Sequence, residues 1–224
     1  MKIVMINGNT KKEGFTAGCL EIVEKRLEEK GADVEYIWLM DAHIEYCRGC
    51  LACVKSGECP IEDDMTEIIH MMREADGFVV GSPVRNGLTT ACYKAFFERI
   101  TYLLGFSLDL EGKHTLAISS VGVGEGKSVN RKTLGLQTIF RTRLSDFLFF
   151  RVGMPPRMKP EEARDRLEDA ADRLMDHIKA GTNRRLGNRV AARIDNWVCR
   201  KFLFSKAPDK FDYILECWKE KGYL

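Results

Sequence analysis

No apolar run in this 224-residue chain approaches the roughly 20 residues that a membrane-spanning helix needs. Charge of one sign is also missing. The chain has 35 Lys and Arg against 33 Asp and Glu, a net charge of +2, so no global basic field marks a nucleic-acid binder. Histidine is scarce, with four residues, and none sits in an evident catalytic constellation. His70 falls on a predicted amphipathic helix, where a structural or solvated role is expected. There is no G-x-S-x-G elbow for a serine nucleophile and no H-E-x-x-H pair for a zinc hydrolase. A phosphate-binding P-loop is incomplete. Gly126-Lys127-Ser128 has its ending, but Val121 stands where the first glycine belongs, which argues against nucleotide hydrolysis. Such sparse acid–base machinery fits an enzyme whose cofactor does the chemistry. The opening residues 1–6 read as a strand, too short for a secretory apolar region, so a reducing cytoplasmic setting is expected.

Cysteine is concentrated instead. Cys47, Cys50, Cys53 and Cys59 follow the pattern C-x2-C-x2-C-x5-C-P, which holds half of the chain's eight cysteines. Two-residue spacers let a tight turn aim several thiolates at one point. Bacterial ferredoxins use C-x2-C-x2-C in this way around an iron–sulfur cube. Structural zinc usually takes two Cys/His pairs far apart in sequence, unlike this single run, whose nearest histidine is His43. A chain of this length can bury a core without disulfide staples. Free thiols in a loop are the plain alternative. A one-electron [4Fe–4S] centre is the sharpest expectation.

The first 180 residues alternate short apolar runs with amphipathic helices. Strands are expected at 3–6, 34–39, 78–80, 115–119 and 147–152. Between them, Leu20, Val23 and Leu27 mark one helical face, with Gly31 as its stop. A second face carries Met65, Ile68, Ile69 and Met72, after Asp63-Asp64, whose carboxylates suit a helix N-terminus. A third carries Leu88, Cys92, Ala95, Phe96, Ile100 and Leu103. Helices are also expected around 134–144 and over 160–181. Five strands alternating with helices imply a parallel sheet with right-handed crossovers.

Three strands end in loops rich in Gly, Asn, Ser or Thr: 7–16, 82–87 and 121–126. In a sheet of order 2-1-3-4-5 they converge beyond the carboxyl ends of the strands, where open α/β sheets bind ligands. The first loop joins hydroxyls, amides and a following helix N-terminus, a setting that attracts a phosphate. A capped turn with no ligand is the alternative.

Asn7-Gly8-Asn9-Thr10 with Gly14 and Thr16, then Gly81-Ser82-Pro83-Val84 with Gly87, Lys94, Phe97 and Arg99, resemble the flavodoxin-like NAD(P)H-dependent FMN reductases. The cysteine run followed by Asp63-Asp64-Met65 resembles the iron–sulfur flavoprotein branch of that family. The resemblance covers about 180 residues and implies a five-stranded flavodoxin-like sheet with helices on both faces. It implies an FMN whose phosphate is held by Asn9, Thr10, Gly14, Phe15 and Thr16. Pro83, Val84, Arg85, Asn86 and Gly87 would run beside the isoalloxazine, with Ser120, Val121, Gly122 and Gly124 flanking its other side. The four cysteines would hold a [4Fe–4S] cluster that passes electrons to FMN. Arg85 departs from the family, which usually has an aromatic residue there; it can stack on the flavin, meet an anionic partner or point outward.

The domain expected from these signals is 1–181, with a cysteine-rich insert at 46–62 and a helical extension over 182–224. In that extension Val190, Ile194, Trp197 and Val198 form an apolar stripe on a basic stretch. Docking on the parent core or a neighbouring subunit is favoured over a membrane surface. Phe211, Tyr213, Trp218 and Tyr223 add an aromatic end suited to covering a cofactor or an interface. A homo-oligomer is therefore expected. The functional expectation is an FMN oxidoreductase with a cluster relay, taking electrons from NAD(P)H or a ferredoxin-like donor. The alternatives are a cluster-free FMN or quinone reductase and a non-enzymatic electron carrier or redox sensor.

Overall fold

The computed structural model describes residues 1–137, 139–181, 201 and 208–224. Its centre is a five-stranded sheet in the order 2-1-3-4-5. The strands are β1 (Lys2–Asn7), β2 (Asp33–Trp38), β3 (Gly77–Gly81), β4 (His114–Val121) and β5 (Arg143–Arg151). All four ladders are parallel. β3 and β4 are buried at every residue, as expected for central strands covered on both faces.

Two apolar layers hold the sheet. On one face α1 (Phe15–Glu29) and α6 (Arg164–Lys179) pack Leu20, Val23, Leu27, Leu167 and Leu174 over Ile3, Met5, Val79 and Leu116. The same two helices are tied by a fork in which Arg26 Nε and Nη2 donate to the Asp172 carboxylate at 2.9 and 2.6 Å. On the other face α3 (Met65–Glu74) and α4 (Ala91–Ser107) pack Ile68, Met72, Phe96 and Ile100 over Val4, Ile6, Phe78 and Val80. Each such side chain, fully buried, contributes about 1.5–3 kcal/mol.

Two helices differ from the sequence reading. The helix expected around 134–144 lies earlier, as α5 (Lys127–Leu134). The chain after it turns through Leu136 and Arg141, both at positive φ, and enters β5 at Arg143. Leu88, expected on α4, stands outside it and is exposed. The helix begins two residues after Thr89, and its N-cap Thr90 accepts from the Tyr93 N–H. Residues 160–163 form a 3₁₀ turn before α6.

The remaining described helices are α2 (Ala52–Ser56), inside the cysteine segment, and α7 (Asp212–Glu220). The expected stripe of Val190, Ile194, Trp197 and Val198 lies outside the described residues. The aromatic end does not project from the chain. Phe211, Ile214, Cys217 and Trp218 form a small core with Val54 of α2 and Leu108 after α4. The Trp218 indole N–H donates to the Phe106 carbonyl at 2.7 Å, and Lys221 meets Asp109 at 3.0 Å.

Candidate flavin cleft and cysteine centre

Parallel pairing brings the carboxyl ends of β1, β3 and β4 side by side. Asn7 pairs with Gly81, and Gly81 with Ile118. The chain stays linked beyond the strands, where Gly8 N–H donates to Gly81 O at 2.7 Å and Val84 N–H to Ser120 O at 2.7 Å. Gly8 is required by this closeness, since a Cβ there would lie 3.0 Å from the Tyr93 Cβ and 3.2 Å from Gly81 O.

A cleft of about 330 Å³ opens over these ends. Asn9, Thr10, Gly14, Phe15 and Thr16 line it from the first loop, with Pro83, Val84 and Arg85 from the second and Ser120 and Gly122 from the third. Its size lies at the lower end of the range for small-molecule sites. Asn7 organises the first loop. Its Oδ1 accepts from the Asn9 N–H and Nδ2, at 2.9 and 2.6 Å, while its own Nδ2 donates to the Tyr36 hydroxyl. The Trp38 indole then donates to Asn9 O at 2.7 Å. Thr16 and Ser120 are both buried, and their hydroxyls share a hydrogen bond of 2.7 Å across the floor.

The N-terminus of α1 reaches this floor without a cap. Its N-cap is Gly14, which offers no side-chain acceptor, and no acidic residue occupies the first turn. The first N–H groups of a helix have no intrahelical acceptor, and the helix dipole adds partial positive charge there. With no acidic residue in its first turn, and with Lys11 lining the cleft beside Glu13, this end suits an external anion such as a phosphate.

Four expected residues do not line the cleft. Asn86 and Gly87, at φ 49° and 79°, form the two-residue turn of a hairpin in which Arg85 and Leu88 pair. This is the Asn-Gly turn signal, and it gives Asn86 a backbone reason to be present. Val121 is the buried last residue of β4. Gly124 is exposed, and its carbonyl accepts from Arg151 at 3.0 Å. Conversely, Val152, Gly153, Met154 and Pro156 line the cleft unforeseen. They directly follow β5, so the strand-end rule applied to the fifth strand would have found them. Gly126, Lys127 and Ser128 open a separate depression with Arg131 and Arg151, not this cleft.

The cysteine segment leaves the sheet after β2. Gly49 and Leu51, both at positive φ, bracket Cys50, and α2 then carries Cys53. Cys47, Cys53 and Cys59 are partly buried and Cys50 is exposed; all four are free thiols. Burial pushes the Cys53 thiol up to about 11, with added repulsion from Cys59, Cys47 and Cys50. The four sulfurs therefore share one electrostatic neighbourhood. Among the described residues, no three His, Cys, Asp or Glu side chains are gathered tightly enough for a single metal ion. The ligands of an iron–sulfur cube bind separate irons and stand further apart than ligands of one ion.

The neck of the segment is sewn by Asp63 and Asp64. Asp64 Oδ2 accepts from the His43 N–H at 2.7 Å, and Asp63 Oδ2 from the Glu45 N–H at 2.8 Å. These carboxylates were expected to serve the N-terminus of α3. Asp63 Oδ1 does accept from Met65 N–H at 3.2 Å, but Asp64 makes no capping bond and spends its carboxylate on the neck. Arg99 of α4 closes the neck from below and also approaches Cys59, its Nη2 lying 3.5 Å from the sulfur. A buried guanidinium beside a cysteine sulfur, with its Nε lacking an acceptor, fits an anionic cluster at this place.

Fold and cleft together define a flavodoxin-like α/β protein with its ligand site at the carboxyl edge of the sheet. The profile of the NADPH-dependent FMN reductases matches residues 1–141, and the chain belongs to that family, in its iron–sulfur flavoprotein branch. An iron–sulfur flavoprotein of Methanocaldococcus jannaschii is 38% identical over 109 residues, covering 48% of this chain and 56% of that one. The chain thus spans little more than half the length of that relative. An iron–sulfur flavoprotein of Archaeoglobus fulgidus is 34% identical over 138 residues, covering 61% of this chain and 68% of its own. Among solved structures, a flavone reductase superposes with a TM-score of 0.61 at 17% identity, over 83% of this chain and 66% of that one. No described helix is long and apolar enough to cross a membrane.

Proposed function

We propose that this protein is an FMN-dependent oxidoreductase that also carries a [4Fe–4S] cluster on Cys47, Cys50, Cys53 and Cys59. The observation that carries the reading is the meeting of three strand-end loops over the uncapped N-terminus of α1. FMN, when bound, exchanges electrons in pairs or singly, and an iron–sulfur cluster exchanges them singly.

The residues divide the work. Asn9, Thr10, Gly14, Phe15 and Thr16, with the free N–H groups of α1, hold the phosphate. Thr16 and Ser120 keep their hydroxyls in place through their mutual bond. Pro83 and Val84, both buried, give the isoalloxazine a dry edge, and the Asn86-Gly87 turn sets that loop's shape. Ser120 and Gly122 supply the opposite side, with Val121 buried between them in the chain. Arg85 stands exposed at the rim, where it can meet an anionic donor such as NAD(P)H. A ferredoxin-like protein is the other donor class that suits a one-electron centre.

Residues 1–181 act as the flavin domain and 182–224 as its extension. The protein works in the cytoplasm as a homo-oligomer. The test is anaerobic purification followed by a visible spectrum and flavin, iron and sulfide analysis. The expected result is FMN together with iron and acid-labile sulfide in cluster proportion. Each single Cys→Ser change should remove the broad iron–sulfur absorption and leave the flavin. Flavin without iron or sulfide in the anaerobic wild-type protein overturns the cluster.

A further inference from the structure

The deepest charge pair of the described residues lies at the neck of the cysteine segment, and neither partner lines the flavin cleft. The side chains of Arg99 and Asp63 are 1% and 0% exposed. Taking two charges out of water is costly, and one partner left alone there costs more. Such a pair therefore needs every donor and acceptor used. Arg99 Nη1 donates to Glu45 O at 2.8 Å and to Asp63 Oδ2, and Nη2 donates to Asp63 Oδ1 at 2.9 Å. Nη2 also reaches Cys59 Sγ at 3.5 Å, and Nε is buried without an acceptor. The fork is thus more than a loop fastener. It delivers one N–H group to a cysteine sulfur and leaves another, on Nε, without an acceptor.

We infer that Arg99 is a positioning residue of the cysteine centre that both closes the neck of the segment and raises the reduction potential of the cluster through Cys59. This rests on the cluster reading above. One-electron reduction adds a negative charge to the centre, so a cation and N–H donors at a ligand sulfur favour the reduced form. Asp63 opposes this effect but is turned toward the N–H groups of Glu45 and Met65. Lysine cannot replace the arrangement, because one ammonium cannot span Asp63, Glu45 O and Cys59 together. A purely structural ion pair would close the neck without moving the potential.

The experiment is an anaerobic redox titration, with dithionite and mediators, of wild-type protein, Arg99→Lys and Asp63→Asn, each analysed for iron and sulfide. Arg99→Lys is expected to keep the cluster but hold about tenfold less of it reduced at a given potential, a shift of about 59 mV for one electron. Asp63→Asn, which removes the opposing charge, should shift the midpoint upward. Arg26→Lys, which alters a pair with Asp172 on the opposite face of the sheet, serves as control and should leave the midpoint in place. In metal-free protein, Arg99→Gln should speed proteolysis within 45–63. A loaded Arg99→Lys protein with the wild-type midpoint overturns the inference, as does a downward or absent shift in Asp63→Asn. Wild-type protein lacking iron and sulfide overturns the cluster reading itself, and metal analysis tells that failure from the others.

Discussion

Replacing Trp218 with alanine tests whether α7 braces the cysteine segment. Trp218 is 2% exposed and packs with Val54, Leu108, Phe211 and Ile214. Removing a buried tryptophan costs about 3–5 kcal/mol, part from lost burial and part from the cavity. The indole bond to Phe106 O accounts for about 1 kcal/mol of this. Trp218→Phe keeps most of the bulk and isolates that smaller share. Because this small core meets the rest of the fold mainly along α2 and the end of α4, with a single bond from Arg73 of α3 to Tyr213, the loss should emerge as local opening before global unfolding. Hydrogen exchange of the α2 amides, read beside urea unfolding, measures both. Trp218→Ala should speed exchange at Cys53 to Ser56 while the amides of β1 and β3 stay protected. A loss under about 1 kcal/mol, with α2 exchange unchanged, would refute the brace.

Thr16→Val should weaken FMN binding by about 1.5–3 kcal/mol, because a hydroxyl that can donate to a phosphate is lost. Flavin fluorescence titration measures it, and unchanged affinity in a folded variant counts against the phosphate placement. His114 has its pKa lowered by burial, with further lowering from His177 and Arg143. Its folded value lies below the ordinary 6.5, so its contribution to stability is complete above pH 6.5 and is lost as pH falls through the folded value. Thermal unfolding across that window should flatten in His114→Gln; an unchanged pH profile would remove His114 from the explanation.

The strands were legible because buried parallel strands leave unmistakable apolar runs, as Ile3-Val4-Met5-Ile6 and Phe78-Val79-Val80 do. α5 was misplaced for the converse reason. Its sequence Lys-Ser-Val-Asn-Arg-Lys-Thr-Leu buries only Asn130 and Leu134, so it has almost no apolar stripe. The stronger apolar signal came from Leu136 and Phe140, which lie in the turn after it and still pack into the core. Leu88 was drawn into α4 by its spacing, although Asn86-Gly87 already announced a hairpin. The three cleft loops were readable from strand ends and small polar residues. The Arg99–Asp63 pair was not, since no local pattern links residues 36 positions apart. The docking of α7 on α2 was equally hidden. An amphipathic face predicts that a helix is covered, not what covers it.

That docking also has a consequence for assembly in time. A chain folds largely from its N-terminus as it is made. The sheet strands and the neck around Asp63 are complete before α7 exists, and Trp218 follows its acceptor Phe106 by 112 residues. During synthesis the cysteine segment is therefore fastened at its base but uncovered on its α2 side. On the proposed cluster reading, the late arrival of α7 leaves an interval in which iron and sulfide can reach Cys53 before Val54 is shut away.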